Sequence, residues 1–128
     1  MPPVTEAELA ILERLWDAAP QSARQLAGRL YPRQTPSDIA TVQKLIQRLE
    51  GKGLVIRDRG ERVHEFRPAV SRETYAGNRL AELADRLTEG SVAPLLLHLV
   101  NSRKLTAREL AELREILDQG TPTRKGRS

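Results

Sequence analysis

Small, amide and cationic side chains recur at helical spacing between residues 40 and 48. The set comprises Ala40, Thr41, Lys44, Gln47 and Arg48. Residues three and four apart lie on one face of a helix, so these side chains would form a single polar surface. Amide and guanidinium groups make hydrogen bonds to base edges, and small residues permit close approach. The chemistry that this surface favours is recognition inside a nucleic-acid groove.

The helix that positions this surface is predicted to span residues 36–51. Thr35 suits the N-cap, Pro36 suits the first helical position, and Gly51-Lys52-Gly53 ends the helix. Asp38 complements the positive end of the helix dipole. The opposite face is apolar at spacings of three and four and is predicted to be buried; it holds Ile39, Val42, Leu45, Ile46 and Leu49.

Two shorter helices are predicted before this one. Thr5 with Glu8, and Ser22 with Gln25, have the spacing of capping boxes. The first helix is expected to end near Ala18 and to bury one face, formed by Leu9, Leu12, Leu15 and Trp16. The three helices together have helix-turn-helix spacing.

A hairpin is predicted between Leu54 and Pro68, with a charged turn at residues 57–62. Two strands alone are unstable in water, so they must lean on the helices, and Phe66 is the expected anchor. A hairpin that follows the third helix is the wing of a winged helix. The predicted fold is therefore mainly α with a minor β part, with a winged helix-turn-helix domain over residues 1–70 and a two- or three-stranded wing.

Residues 71–120 are predicted to form a three-helix lobe, and residues 121–128 a disordered basic tail. The lobe is too small to bury its leucines alone, so we expect it to dimerise. The expected dimerisation residues are Leu80, Leu83, Leu87, Leu95, Leu96, Leu99, Leu113 and Leu117. Packing of this lobe on the first domain of the same chain is the alternative. A two-fold dimer would place two groove-reading helices on a palindromic site.

Charge is concentrated around the third helix and the hairpin. The chain of 128 residues has a net charge of +4, and eight basic and five acidic residues fall within residues 33–67. A basic patch confined to one structural unit is typical of a polyanion-binding face, although a solubility tail with chance clustering is the alternative. There are no cysteines and no apolar run that would span a bilayer, so we expect a cytoplasmic protein.

Catalytic and metal chemistry find no support in the sequence. His64 and His98 lie far apart and lack a carboxylate partner, so a solvated role is favoured over a zinc site. No activated nucleophile, phosphate-binding glycine loop or cofactor motif is present. We therefore expect neither enzymatic activity nor a cofactor.

The chain resembles the penicillinase repressor family (BlaI/MecI type, related to CopY) from residue 4 to about residue 118. The likeness rests on VTEAELAILERLW, TVQKLIQRLEGKGLV, the hairpin RDRGERVHEFRP, the link SRETY and the final LTARELAELREIL. The resemblance implies a winged-helix transcriptional repressor with a helical dimerisation lobe.

The resemblance also implies which residues contact DNA. The third helix would enter the major groove with Thr41, Lys44 and Arg48, while Ser37, Ala40 and Gln43 would lie beside them. The wing would lie along the backbone through Arg57, Arg59 and Arg62. Phosphate contacts give salt-sensitive affinity, and base contacts select the operator.

The resemblance also implies a route of induction. In the best-known members a membrane sensor protease is involved, and the repressor is cleaved between an asparagine and a phenylalanine in the dimerisation lobe. The register of the final helix places His98 and Leu99 at this candidate cleavage position. The cysteine motifs of the copper-responsive relatives are absent, which excludes copper sensing by that route. The alternative function is a winged-helix protein-interaction module in a larger complex.

Overall fold

The structure is a computed structural model that describes residues 2–59 and 62–119, apart from the side chain of Leu117. Its elements follow one another along the chain in this order: α1 (Glu6–Asp17), α2 (Ala23–Leu30), α3 (Pro36–Gly51), β1 (Val55–Arg59), β2 (His64–Pro68), α4 (Arg72–Leu87), α5 (Ala93–Asn101) and α6 (Ala107–Gln119). The prediction of a mainly helical fold with a small antiparallel hairpin is confirmed.

Four of the six described helices begin at a capping box, whereas α5 has no side-chain cap. The Thr5–Glu8 and Ser22–Gln25 capping boxes are both formed. Thr106 and Glu109 exchange the same pair of hydrogen bonds before α6. A fourth box precedes α3, where the Asp38 side chain accepts from the backbone N–H of Thr35 as well as facing the helix dipole. These short-range hydrogen bonds fix each entry point independently of the rest of the fold.

The hairpin differs from its prediction in where the turn begins. β1 extends to Arg59, so half of the predicted charged turn is strand. Within the register, Arg57 lies opposite Phe66, and Asp58 forms an ion pair with Arg67 of β2. These charged side chains have cross-strand partners, and such pairs stabilise a strand that composition alone would disfavour.

A third backbone segment extends the sheet at its inner edge. Gln21 and Phe66 exchange two backbone hydrogen bonds of 3.0 and 2.8 Å. The Gln21 side chain is buried and donates to the carbonyl oxygens of Arg14 and Ala18 at the end of α1. This single residue therefore joins the wing to both the first helix and the start of the second.

The core lies between α1, α2, α3, the hairpin and the start of α4. Phe66 is its anchor from β2, as predicted. The first helix departs from prediction, because Ile11 is fully buried whereas Leu9 and Trp16 are only partly buried. The buried apolar side chains are Ile11, Leu12, Leu15, Leu26, Ala27, Val42, Leu45, Ile46, Leu49, Leu54, Val55, Phe66 and Tyr75.

The chain divides into two compact units, Met1–Arg79 and the part that begins at Leu80. Among the described residues of the second unit Ala84 is buried, while six large apolar side chains are exposed: Leu83, Leu87, Leu96, Leu97, Val100 and Ile116. No helix in the described ranges is both long and apolar enough to cross a membrane. The predicted disordered tail at 121–128 lies outside the described residues, and the predicted domain boundary at residue 70 stays a prediction.

Candidate nucleic-acid interface

One side of α3 is buried in the core and the other is open to solvent. Val42, Leu45, Ile46 and Leu49 are buried, and Ile39 packs against them. The predicted groove-reading residues are all exposed: Ser37, Ala40, Thr41, Gln43, Lys44, Gln47 and Arg48. The helical period that buries the first set forces the second set outward.

The cations of this outer face are available to an external partner. Neither Lys44 nor Arg48 forms an ion pair or a side-chain hydrogen bond with another described residue. Thr41 donates its hydroxyl proton to the carbonyl oxygen of Ser37 at 3.0 Å, which leaves the oxygen lone pairs able to accept. The surface offers cationic donors at one end and a small polar acceptor nearer the other.

The end of α3 determines where the wing begins. Gly53 adopts a φ of +76° after the C-cap residue Lys52, and its N–H donates to the carbonyl of Glu50 at 3.0 Å. The N–H of Leu54 donates to the carbonyl of Leu49 at 2.9 Å. This pair of bonds is a Schellman motif, and the two leucines that flank it are both buried. The motif turns the chain directly from the outward-facing helix into β1.

The three wing arginines have different surroundings. Arg59 and Arg62 are exposed. Arg57 is half-buried: its Nε and Nη2 donate to the carboxylate of Glu50 at 3.0 and 2.8 Å, and its Nη1 donates to Nδ1 of His64 at 2.9 Å. The guanidinium carbon of Arg57 lies 5.2 Å from the centre of the Phe66 ring. The hydrogen bonds to Glu50 raise the pKa of Arg57, more than desolvation lowers it.

A groove of about 560 Å³ separates α3 from the wing and the start of α2. Its lining combines apolar side chains with cationic, amide and imidazole groups; the lining residues are Ala23, Arg24, Ile39, Gln43, Gln47, Arg57, Arg62, Val63, His64 and Phe66. Sequence reasoning missed Arg24. The signal that points to it is its place in the first turn of α2, where the helix dipole disfavours a cation unless an outside anion binds it.

A buried ion pair secures the helix that bears the candidate interface. Glu8 is only 1% exposed, and its carboxylate accepts a hydrogen bond from Lys52 Nζ at 2.5 Å. Burial raises the pKa of Glu8, but the hydrogen bonds from Lys52 and from the Thr5 amide outweigh it and lower the pKa below 4.5. The Glu8–Lys52 pair therefore connects the start of α1 to the end of α3. The capping role of Glu8 did not predict this long-range contact.

The remaining predicted positions are the candidate cleavage residues His98 and Leu99 and the second histidine, His64. His98 is exposed and Leu99 half-buried, and both lie within α5. His64 lines the groove at the start of β2. The part of the chain that the structure describes holds no group of three or more side chains suited to a metal ion.

The fold and this surface define a winged helix-turn-helix protein. The chain matches the model of the penicillinase repressor family over residues 4–119 and belongs to that family. This confirms the resemblance drawn from the motifs of the third helix and the hairpin.

The relatives of the chain are transcriptional regulators. It is 35% identical over 114 residues to the transcriptional regulator BlaI of Mycobacterium tuberculosis. The matched region covers 86% of this chain and 79% of that protein. It is 23% identical over 119 residues to the penicillinase repressor of Bacillus licheniformis, and this match covers 93% of this chain and 92% of that protein. Among solved structures, a MarR family protein from Bacillus stearothermophilus has a TM-score of 0.48 with 24% identity, covering 80% of this chain and 73% of that one.

Proposed function

We propose that this protein is a sequence-specific transcriptional repressor that binds a palindromic operator as a homodimer. In this proposal α3 enters the major groove. The wing lies against the DNA backbone through residues 57–62. The observation that carries the proposal is the outer face of α3, which is exposed and cationic and whose cations have no partner among the described residues.

The residue types on α3 suit the reading of base edges. Arg48 and Lys44 would donate to guanine, Gln47 and Gln43 would pair with adenine, and the methyl group of Thr41 suits thymine. Ala40 and Ser37 are small and exposed, which permits the first turns of the helix to approach the groove closely. Base selection in this proposal rests on the helix rather than on the hairpin.

Phosphate contacts would come from cations on both sides of the helix. Arg24 of α2 and Arg62 of the wing both line the groove, and Arg59 at the end of β1 is exposed. Neither Arg24 nor Arg62 forms an ion pair with a described residue. Cations that flank a recognition helix position it on the duplex without reading sequence.

The second unit supports the dimer part of the proposal. Leu83, Leu87 and Leu96 of the predicted interface are exposed, as are Leu97 and Ile116. Within this unit a second copy would remove these side chains from water, at about 25 cal/mol for each Å² of apolar surface. The predicted members Leu80, Leu95, Leu99 and Leu113 are half-buried within their own chain, and the side chain of Leu117 lies outside the described residues.

We propose that repression takes place in the cytoplasm and is relieved by cleavage within the second unit. A protease that cuts at His98–Leu99 would divide α5, and a divided helix cannot hold two copies together. Loss of the dimer would release the operator, because each α3 alone makes half of the contacts. The protease partner of this proposal is a membrane sensor.

A protein-interaction module is the second candidate, and one observation favours it. Val63 on the wing is 57% exposed and Ile56 is 38% exposed, as in a small apolar docking patch. The outer face of α3 carries no large apolar residue, however, so DNA is the partner that we favour.

A fluorescence anisotropy titration tests the proposal. The probe is a labelled duplex from the region upstream of the protein's own gene, and the control is a shuffled duplex of equal length. We expect tighter binding to the upstream duplex, and a loss of affinity of about 10³-fold or more between 50 and 200 mM salt. Absent or salt-insensitive binding to both duplexes would reject DNA as the partner.

A further inference from the structure

We infer that Arg57 is a positioning residue that braces the wing against α3, and that the backbone contacts of the wing are made by its neighbours. The inference rests on the proposed DNA-binding function and deepens it. It reassigns Arg57, one of the three arginines predicted to contact the DNA backbone, to a contact within the protein.

The first support is the number of Arg57 donors already in use. A guanidinium group has five N–H donors, and three of the five of Arg57 are bonded to Glu50 and His64. One face of the group is covered by the Phe66 ring. Two N–H donors, one on Nη1 and one on Nη2, remain for a phosphate.

The second support is the identity of the partners. Glu50 lies in the last turn of α3, whereas His64 and Phe66 belong to β2. Arg57 itself lies on β1, so one side chain joins the recognition helix to both strands of the wing. The Glu50 and Arg57 side chains are 26% and 32% exposed, so their bidentate pair is shielded more than a surface ion pair.

The third support is the contrast within the hairpin. Asp58 and Arg67 also form an ion pair, but their side chains are 44% and 49% exposed and both lie within the wing. That pair connects strand to strand, whereas the Glu50–Arg57 pair connects the wing to the helix. The Asp58–Arg67 pair therefore provides a matched control.

The decisive variant is Glu50→Gln, because the two roles of Arg57 predict opposite results. If Arg57 contacts a phosphate, removal of the acid that holds it should strengthen operator binding. If the pair is a brace, the loosened wing must be ordered on binding, and affinity should fall about five- to tenfold. The Asp58→Asn control also removes one negative charge, but from the wing and not from α3, and it should leave affinity equal or slightly higher.

The double variant Glu50→Gln/Arg57→Gln separates the roles by salt dependence. It leaves the net charge unchanged, so a brace predicts weaker binding with the same slope of log affinity against log salt. A phosphate contact predicts a slope smaller by about 0.9, as we expect for Arg59→Ala. A slope reduced to that of Arg59→Ala, or tighter binding by Glu50→Gln, would overturn the inference.

Hydrogen exchange of the free protein provides a readout that needs no DNA. Glu50→Gln should speed amide exchange in β1 and β2 while leaving α1 unchanged, and Asp58→Asn should affect the wing amides less. Equal exchange in wild type and Glu50→Gln would overturn the brace even if DNA binding holds. If the wild type does not bind DNA, the proposed function is rejected. The exchange result still tests the brace, because it is measured without DNA.

Discussion

At the scale of single residues, the same chemical group has different roles according to its neighbours. Arg48 projects from α3 with no ion-pair partner among the described residues, while Arg57 is bound by a carboxylate, an imidazole and an aromatic ring. Glu8 illustrates the same point for acids, because a buried carboxylate is tolerated only with hydrogen-bond donors around it. Residue type alone therefore does not distinguish an interface cation from a structural one.

Replacement of Lys44 or Arg48 by alanine is predicted to weaken operator binding. Each change should cost about 1–3 kcal/mol if the residue pairs with a base edge. Anisotropy titrations with the upstream duplex measure the loss. Arg108→Ala, which removes an exposed arginine from α6, is the charge-matched control and should bind normally. Full affinity in both α3 variants would show that this face does not lie in the groove.

The Glu8–Lys52 pair is predicted to make stability depend on pH. Because the folded-state pKa of Glu8 is lowered, its stabilisation is present above about pH 4.5 and disappears as pH falls through the folded-state value. Glu8→Gln keeps a capping side chain but loses the charge, so it should cost about 1 kcal/mol at pH 7 and little at low pH.

Urea unfolding of wild type and Glu8→Gln at several pH values between 3 and 7 measures this difference. The two stability curves should converge on acidification. A constant difference across this range would show that the charge of Glu8 contributes nothing to folding.

At the scale of elements, a Schellman motif connects α3, the helix that we propose reads DNA, to the strand that flanks it. Gly53 at φ +76° is the one residue of this junction that has a left-handed backbone. A side chain there meets no neighbour but is strained, since a Cβ disfavours that region of φ. The geometry of the wing relative to α3 therefore depends on one glycine together with the Arg57 brace.

Gly53→Ala is predicted to destabilise the protein by about 1–2 kcal/mol, because alanine is strained at this φ. Gly51→Ala is the matched control: Gly51 lies in the last turn of α3, a Cβ there has open space, and alanine should stabilise by about 0.5–1 kcal/mol. Thermal unfolding of the two variants gives both values. Equal effects of the two alanines would contradict the assigned role of Gly53.

At the scale of the whole molecule, the two units carry separate parts of the proposal. The first unit holds the core, the groove and the candidate interface, and the second holds six of the eight large apolar side chains that are exposed among the described residues. Two-fold pairing of the second unit is what would convert one weak half-site contact into operator binding, since linked sites bind far more tightly than either alone.

Leu96→Asp is predicted to break the proposed dimer, because a buried interface does not tolerate an unpaired carboxylate. Sedimentation velocity should show a monomer, and tight operator binding should be lost with the dimer. Asn101→Asp adds the same charge at an exposed position of the same helix and should stay dimeric. A dimer that persists in Leu96→Asp would place the interface elsewhere.

The sequence predicted what depends on local patterns. The Thr35 cap, the apolar stripe from Val42 to Leu49 and the hairpin anchor Phe66 follow from short-range hydrogen bonds and periodicity. The Glu8–Lys52 pair did not follow, since it joins residues 44 positions apart. The roles of Arg57 and Arg24 depend on how the wing folds over the end of α3, and no helical or strand period encodes that arrangement.

A dimethyl sulfate footprint of the region upstream of the gene tests the central claim most directly, because the reagent methylates guanine at N7, in the major groove. We predict that guanines become protected in two inverted half-sites whose centres lie about 10 base pairs, or a multiple, apart. Unchanged guanine reactivity at protein concentrations that saturate the duplex would contradict a recognition helix in the major groove. Protection in one half-site alone would contradict the two-fold arrangement.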